Sequence, residues 1–455
     1  MFPFSIDQTL VIIYFLVTLG FGFYKKSGTD INSFLFAGRK LTLPALVATL
    51  VSTWYGGILE VGRFTYENGI VTWLIFGLFY YIAALLFVKF IAPKIIEREI
   101  PTIPELFLKK FGKVPAIIAL CCVILITSPA PYLKILGQLF NYLWDIPHFG
   151  ALLLGASLSL AYAFTGGFSA IVRTDKLQFI LMFLGFGIIL FSSYSQYGGI
   201  DFLLNNTPEY AFSIPGNFNW TFIFVWGFIA LTTFIDPSFY QRTFAGNSLK
   251  SVQRGILLSI GFWIIFDFMS IFTGLYALAI LPSVENSPYL DLAGLVLSPI
   301  GNGLFIVSLF AIVASTIDSF TFISAYTLGR DLPNILNMDN SEHYVLRYTR
   351  WGLVATAMVS IILAIYFKHA VDIWYLVGSF VTPVLLIPLI CALYGVRLKH
   401  ASLMLALPCL VSVGWHLYGV MNPINGGYPG YWGGFDPMYP GIALSAILFY
   451  FLKKE

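Results

Sequence analysis

Near the middle of one long apolar run, the segment Ala311-Ile312-Val313-Ala314-Ser315-Thr316-Ile317-Asp318-Ser319 groups three hydroxyls with one carboxylate. On a helix Ser315, Asp318 and Ser319 are spaced i, i+3 and i+4, so they share one face. Thr316 lies beside them, three residues before Ser319. Hydroxyl and carboxylate oxygens are hard ligands. Neutral hydroxyls with a single carboxylate suit a monovalent cation that must bind and then leave. The local alternative is that serine and threonine bond their own i−4 carbonyl. That serves hydroxyls alone and explains an aspartate in hydrocarbon poorly.

Two other apolar runs are interrupted. Leu50-Val51-Ser52-Thr53-Trp54-Tyr55-Gly56-Gly57 places polar, aromatic and glycine residues in mid-run, and Leu231-Thr232-Thr233-Phe234-Ile235-Asp236-Pro237 ends in a proline. Proline removes a backbone donor and clashes with the preceding turn, which weakens helix continuity. Carbonyls freed at such breaks can complete the shell of a bound ion. Charged residues within the runs are few: Glu60, Arg63, Lys134, Asp236, Asp267 and Asp318, with Asp175 and Lys368 at run edges. Ionisable groups in hydrocarbon are costly, so each is a functional candidate. Glu60 and Arg63 are also spaced to pair with each other. Lys134 can meet a solute carboxylate or snorkel to the outer interface.

The elements that must position these groups follow from composition. Of 455 residues, 58% are apolar and 10% charged, and the mean hydropathy is +0.84. A water-facing domain carries roughly 25% charge, so this chain is solvated by membrane lipid. The formal charge of +3 forms no basic stripe, which argues against nucleic acid as a partner. Cys121, Cys122, Cys391 and Cys409 lie in apolar runs without metal-ligand spacing and read as small buried side chains. The five histidines form no ligand-spaced pair or nucleophile–base motif, which argues against an enzyme. The apolar run Leu10 to Tyr24 is followed by Lys25-Lys26 and by no small-residue cleavage site, so it reads as a retained first span.

A helix needs about 20 apolar residues to cross the hydrocarbon. Windows of that length predict an all-α polytopic membrane protein with about thirteen spans, at 8–24, 42–65, 70–96, 114–141, 149–168, 175–196, 219–237, 252–281, 294–325, 350–368, 371–396, 401–420 and 437–452. With the N-terminus outside and the C-terminus cytoplasmic, all 25 basic residues except Arg63, Lys134 and Lys368 fall on the inside, as the positive-inside rule requires. On this count Arg173 and Lys176 fall at the cytoplasmic side and Arg242 in a cytoplasmic loop. The two interrupted spans head successive groups of five, 2–6 and 7–11. Five is odd, so the groups have opposite orientation, an inverted-repeat core whose breaks point to a transport site. The chain divides into a first span with its loop (1–41), a first repeat (42–196), a second repeat (197–396) and two further spans (397–455).

At these residues the chain resembles the sodium:solute symporter family, which includes proline, sugar and sialic acid carriers. Phe36-Ala37-Gly38-Arg39 looks like the family's motif before span 2. Ala161-Tyr162-Ala163-Phe164-Thr165-Gly166-Gly167-Phe168-Ser169-Ala170-Ile171-Val172-Arg173-Thr174-Asp175 is similar to its loop between spans 5 and 6. Phe239-Tyr240-Gln241-Arg242 and the segment Ser315 to Ser319 also look familial. The resemblance implies a leucine-transporter-type fold and a sodium site between spans 2 and 9. That site would combine carbonyls of Ser52, Tyr55 and Ile312 with the hydroxyls of Ser315 and Thr316. It further implies a second sodium or a proton at Asp175, Asp318 and Ser319, although Asp318 stands where the two-sodium pattern has a hydroxyl. Asp175 has a local alternative as a helix N-cap after Thr174. Implied substrate residues beside the breaks are Trp54, Gly57, Glu60, Lys134, Thr232, Thr233, Trp374 and Ser379. Trp54 and Leu59 replace the amide side chains of sugar carriers, which lowers a sugar reading.

The expected function is uptake of a small organic solute, carboxylate-bearing if Lys134 meets it, coupled to inward sodium flow by alternating access. A bacterial inner membrane is the expected location. A proton-coupled carrier with Asp318 as the proton site is the first alternative, and a membrane sensor module the second.

Overall fold

The computed structural model describes residues 4–24, 30–366, 370–424 and 429–454. Lys25, Lys26 and Lys368, used in the charge count, and His369 lie outside the described residues. Helices dominate. Among the described residues the only β features are two isolated bridges, Leu41 with Gly246 and Leu398 with Lys453. Among the described residues ten helices are long and apolar enough to cross a membrane, and the bent pair Leu43–Trp54 and Ile58–Asn68 makes eleven. The expected thirteen spans are reached only by dividing the 50-residue helix His148–Tyr197 at its kink and adding the 15-residue helix Met438–Leu452.

Both sequence breaks are present. The second span stops at Trp54 and resumes at Ile58 after a bend of 56°. Gly56 and Gly57 weaken the helix, and close packing demands them. A Cβ on Gly56 would sit 2.5 Å from the Thr316 Cβ, and one on Gly57 would sit 1.8 Å from the Trp374 Cη2. The seventh span runs Trp220–Ala230, passes through a tight turn at Leu231–Phe234, and continues as Pro237–Ala245. Asp236 caps this last piece by accepting from the Ser238 N–H at 2.7 Å, and Pro237 occupies the first position, where its missing donor costs nothing. The span therefore extends eight residues past Pro237, and Arg242 is helical rather than in a loop.

Spans 5 and 6 form one bent helix, with no loop at 169–174. Its only non-helical residue is Gly167 (φ 54°, ψ −153°), where a Cβ would lie 2.4 Å from the Phe34 carbonyl oxygen. Asp175 is therefore interior to a helix and not its N-cap. The ninth span, Pro299–Tyr326, is the central helix, with Phe305 to Ser319 buried on every side. A helix enclosed by other helices is expected to be apolar all round, so its hydroxyls and carboxylate are the exceptions needing partners. At the end read as cytoplasmic, the short helix Ile103–Phe111 is fastened to the continuation of the ninth span at Thr327–Asp331: Arg330 bonds Glu105 at 2.5 Å and Asp331 at 2.9 Å, and Thr102 donates to Asp331.

Candidate functional site

Spans 2 and 9 meet at the break. Thr316 Oγ1 donates to the Thr53 carbonyl at 2.8 Å and lies 3.4 Å from the Ile312 carbonyl oxygen. Ser315 Oγ lies 2.9 Å from Ser52 Oγ and 2.6 Å from Asp175 Oδ1. Ser52 Oγ in turn donates to the Ala48 carbonyl. The Tyr55 carbonyl accepts from the Ile58 N–H at 2.9 Å, while its hydroxyl reaches the Trp263 carbonyl. The Ser52, Ser315 and Thr316 hydroxyls and the Thr53 and Ile312 carbonyls are thus gathered at one buried place by two helices some 260 residues apart in sequence.

Asp175 and Ser319 join this cluster from the other side, and Arg242 holds them. Its Nη2 donates to Thr53 Oγ1 at 2.7 Å and Ser319 Oγ at 2.8 Å, and its Nε donates to Thr49 Oγ1 at 3.1 Å. Thr49 donates to Asp175 Oδ2, which lies 3.9 Å from the guanidinium. Arg242 is 1% exposed and Asp175 0%, so the placement of Arg242 in a cytoplasmic loop is corrected to a buried ion pair. Buried charges require such compensation. Thr49, Thr53 and Arg242 were missed as site residues. The signal was available in part: Thr49 and Thr53 are spaced i, i+4, one position off the Ser52 register.

Asp318 does not join. Its Oδ1 accepts from Ser159, and it lines a small space against the first and fifth spans. The expected grouping of Asp318 with Asp175 and Ser319 is therefore corrected. The two sets face different neighbours.

Beside the break lies a cavity of ≈ 190 Å³. Trp54, Tyr80, Tyr132 and Trp374 form aromatic walls, with Trp54 5.1 Å from Tyr80 and Tyr132 5.8 Å from Trp374 between ring centroids. Thr53, Ser128, Thr232, Asp236, Ser238 and Arg242 supply polar groups. Of the substrate candidates, Trp54, Gly57, Thr232 and Trp374 line it; Glu60, Lys134, Thr233 and Ser379 are not among its lining residues. Glu60 instead pairs with Arg63 at 2.9 Å, and Arg63 also bonds Glu67. Asp267, a charged candidate that was not among the expected substrate residues, also lines the cavity and accepts from the Tyr81 hydroxyl.

With this geometry in view, the comparisons with known proteins are specific. Residues 34–407 match the model of the sodium:solute symporter family. The chain belongs to that family. This sodium:solute symporter is 25% identical over 471 aligned positions to the sodium/pantothenate symporter of Escherichia coli, covering 96% of this chain and 94% of the relative. It is 23% identical over 417 positions to the sodium/glucose cotransporter of Vibrio parahaemolyticus, covering 79% and 74%. Among solved structures it resembles a substrate-bound, outward-open sodium-coupled sialic acid symporter, with a TM-score of 0.77 at 16% identity over 99% of both chains. A transporter of the nucleobase-cation-symport-1 family gives 0.56 at 13% identity over 92% and 94%. These likenesses confirm the fold. The symporter is a multi-pass membrane carrier, not an enzyme, and sodium is its coupling ion.

Proposed function

We propose that this symporter couples inward sodium flow to uptake of a small organic solute by alternating access, with sodium held by the Ser52, Tyr55 and Ile312 carbonyls and the Ser315 and Thr316 hydroxyls. The observation that carries this reading is the Thr316–Thr53 bond, which joins the ninth span to the second immediately before its break. An ion there bridges two helices, so it favours whichever state holds them together, and a solute in the adjoining cavity favours the same state. Ligands shift a conformational equilibrium by such differential binding. One charge moving through about 100 mV supplies about 2.3 kcal/mol, and a tenfold gradient adds about 1.4 kcal/mol. That is ample for concentrating a neutral solute.

The solute lies against the aromatic walls, with its polar end toward Thr232, Asp236, Ser238 and Arg242. Arg242 lines the cavity, but its charge is met by Asp175, and Asp236 and Asp267 line the cavity as well, so the lining does not restrict the solute to a carboxylate. Its identity does not transfer from the relatives, whose names give different substrates, glucose and pantothenate. On this reading 42–196 and 197–396 are the two repeats, a helical bundle rocks against its scaffold to open the inner side, the N-terminus is outside, the C-terminus inside, and the location is the bacterial inner membrane. The test is uptake into proteoliposomes. Thermal stabilisation by a metabolite panel, with and without sodium, identifies the solute. The double variant Ser315→Ala/Thr316→Ala must then lose sodium-driven uptake while remaining folded. Unchanged sodium dependence removes the site assignment.

A further inference from the structure

The central cavity carries an imbalance of charge. Among the described residues its lining holds three charged side chains, Asp236, Asp267 and Arg242. Arg242 is already met by Asp175. Asp236 and Asp267 are only 8% and 6% exposed, and neither forms an ion pair among the described residues. Their hydrogen-bond donors are neutral, the Ser238 N–H for Asp236 and the Tyr81 hydroxyl for Asp267. Three carboxylates thus face one guanidinium. One sodium bound beside Asp175 still leaves a negative charge unmatched, and a charge held away from water needs a counter-charge.

The walls favour the same sign. Trp54 with Tyr80 and Tyr132 with Trp374 are two ring pairs on the lining. Aromatic faces are negative and attract a cation within about 6 Å. The rings are held in place by the break itself. A Cβ on Gly56 would lie 2.6 Å from Tyr132 Cδ1, and one on Gly57 would strike Trp374. Trp54 is backed by Trp263 at 5.2 Å between centroids, one helical turn before Asp267. Asp236 lies within electrostatic reach of both Tyr80 and Tyr132, so a carboxylate and the rings converge on one space. A neutral solute leaves the charge in place, and an anion adds to it. A cation balances it and rests its hydrocarbon on the rings.

We propose that the solute bears an ammonium group, seated between the two ring pairs with Asp236 as its counter-ion and Asp267 as the second carboxylate that keeps the cavity negative. This rests on the reading of the cavity as the solute site and names the chemistry of its occupant.

The test is thermal stabilisation of the purified full-length protein in sodium by probes that share a shape and differ in charge. Choline is compared with dimethylbutanol and dimethylbutyrate, and isoamylamine with isoamyl alcohol and isovalerate. At least one ammonium should bind about tenfold or more tighter than its neutral and anionic counterparts. Asp236→Asn, which keeps a helix-capping oxygen, should erase that preference, and Trp374→Leu should reduce it. The ratio of cation to neutral affinity is the readout, because a merely structural loss lowers both alike. In proteoliposomes the current carried with the preferred ammonium should exceed the sodium flux by one charge per solute. Equal binding of cation and neutral isostere, preference for the anion, or no binding of either ammonium to protein that sodium still stabilises overturns the proposal and leaves the sodium site intact. So does an undiminished preference in both Asp236→Asn and Trp374→Leu. Unchanged sodium stabilisation in Ser315→Ala/Thr316→Ala removes the sodium site instead, and the ammonium pocket stands where Asp236→Asn still erases the preference.

Discussion

Thr316 donates its hydroxyl to the carbonyl of Thr53 at 2.8 Å, one residue before the second span breaks. Helix geometry alone would leave carbonyls at such an end without their usual partners. The ninth span takes up one of them through a side chain, and the Gly56 backbone lies close enough to Thr316 that no Cβ fits between them.

Gly56→Ala should therefore push the two spans apart. We expect about 1–3 kcal/mol of destabilisation from overpacking, together with a weakened dependence of uptake on sodium. Parallel thermal unfolding and sodium titration of uptake measure both. Full stability and normal sodium affinity in this variant would show that the spans need not touch here.

Removing Arg242 should cost more than a surface cation does. Arg242→Gln leaves Asp175 buried without its partner, a change of about 3–5 kcal/mol. Arg242→Lys should recover only part of this, because one ammonium cannot reproduce the fork that bonds Thr49, Thr53 and Ser319 together. Unfolding temperatures in detergent rank the three proteins. Equal stability of the lysine variant and wild type would deny the fork its role.

Lys134→Gln should change uptake of carboxylate and neutral solutes by the same factor, since Lys134 is not among the residues lining the central cavity. Competition assays with matched acid and amide analogues read this directly. A selective loss of the acid would place Lys134 in contact with the solute.

The fastening between the helix Ile103–Phe111 and the ninth span should depend on pH. Burial pushes the Glu105 carboxyl up, but Arg330 and Lys109 outweigh it and hold the carboxyl below its ordinary 4.5. A depressed folded value means that the contribution is present above the unfolded value and is lost as pH falls through the folded one. Glu105→Gln should lower stability at neutral pH and flatten its decline in the acid range. An acid unfolding curve superimposable on wild type would rule this out.

Much of this architecture was legible because it is local. Charge depletion dictates lipid as solvent, apolar run length sets the spans, and Gly56-Gly57 and Asp236-Pro237 mark breaks that the structure contains. Ser315 and Thr316 were legible as candidates because hydroxyls in a buried helix stand out against apolar neighbours. The boundaries were less legible. Polar residues such as Arg242 and Asp175 look like loop or cap positions when their partners lie far away in sequence.

What only the tertiary structure decided is which oxygens share a site. At 3.6 residues per turn, Asp318 and Ser319 diverge from Ser315 by about 60° and 40° to opposite sides, so a face that looks common in sequence can serve two neighbours. Packing directs Ser319 to Arg242 and Asp318 to Ser159. It also leaves Glu60 and Lys134 out of the central cavity's lining and brings Asp267 into it. Sequence spacing fixes a side chain's direction on its own helix, but its partner is set by how distant helices pack, and that information is not local.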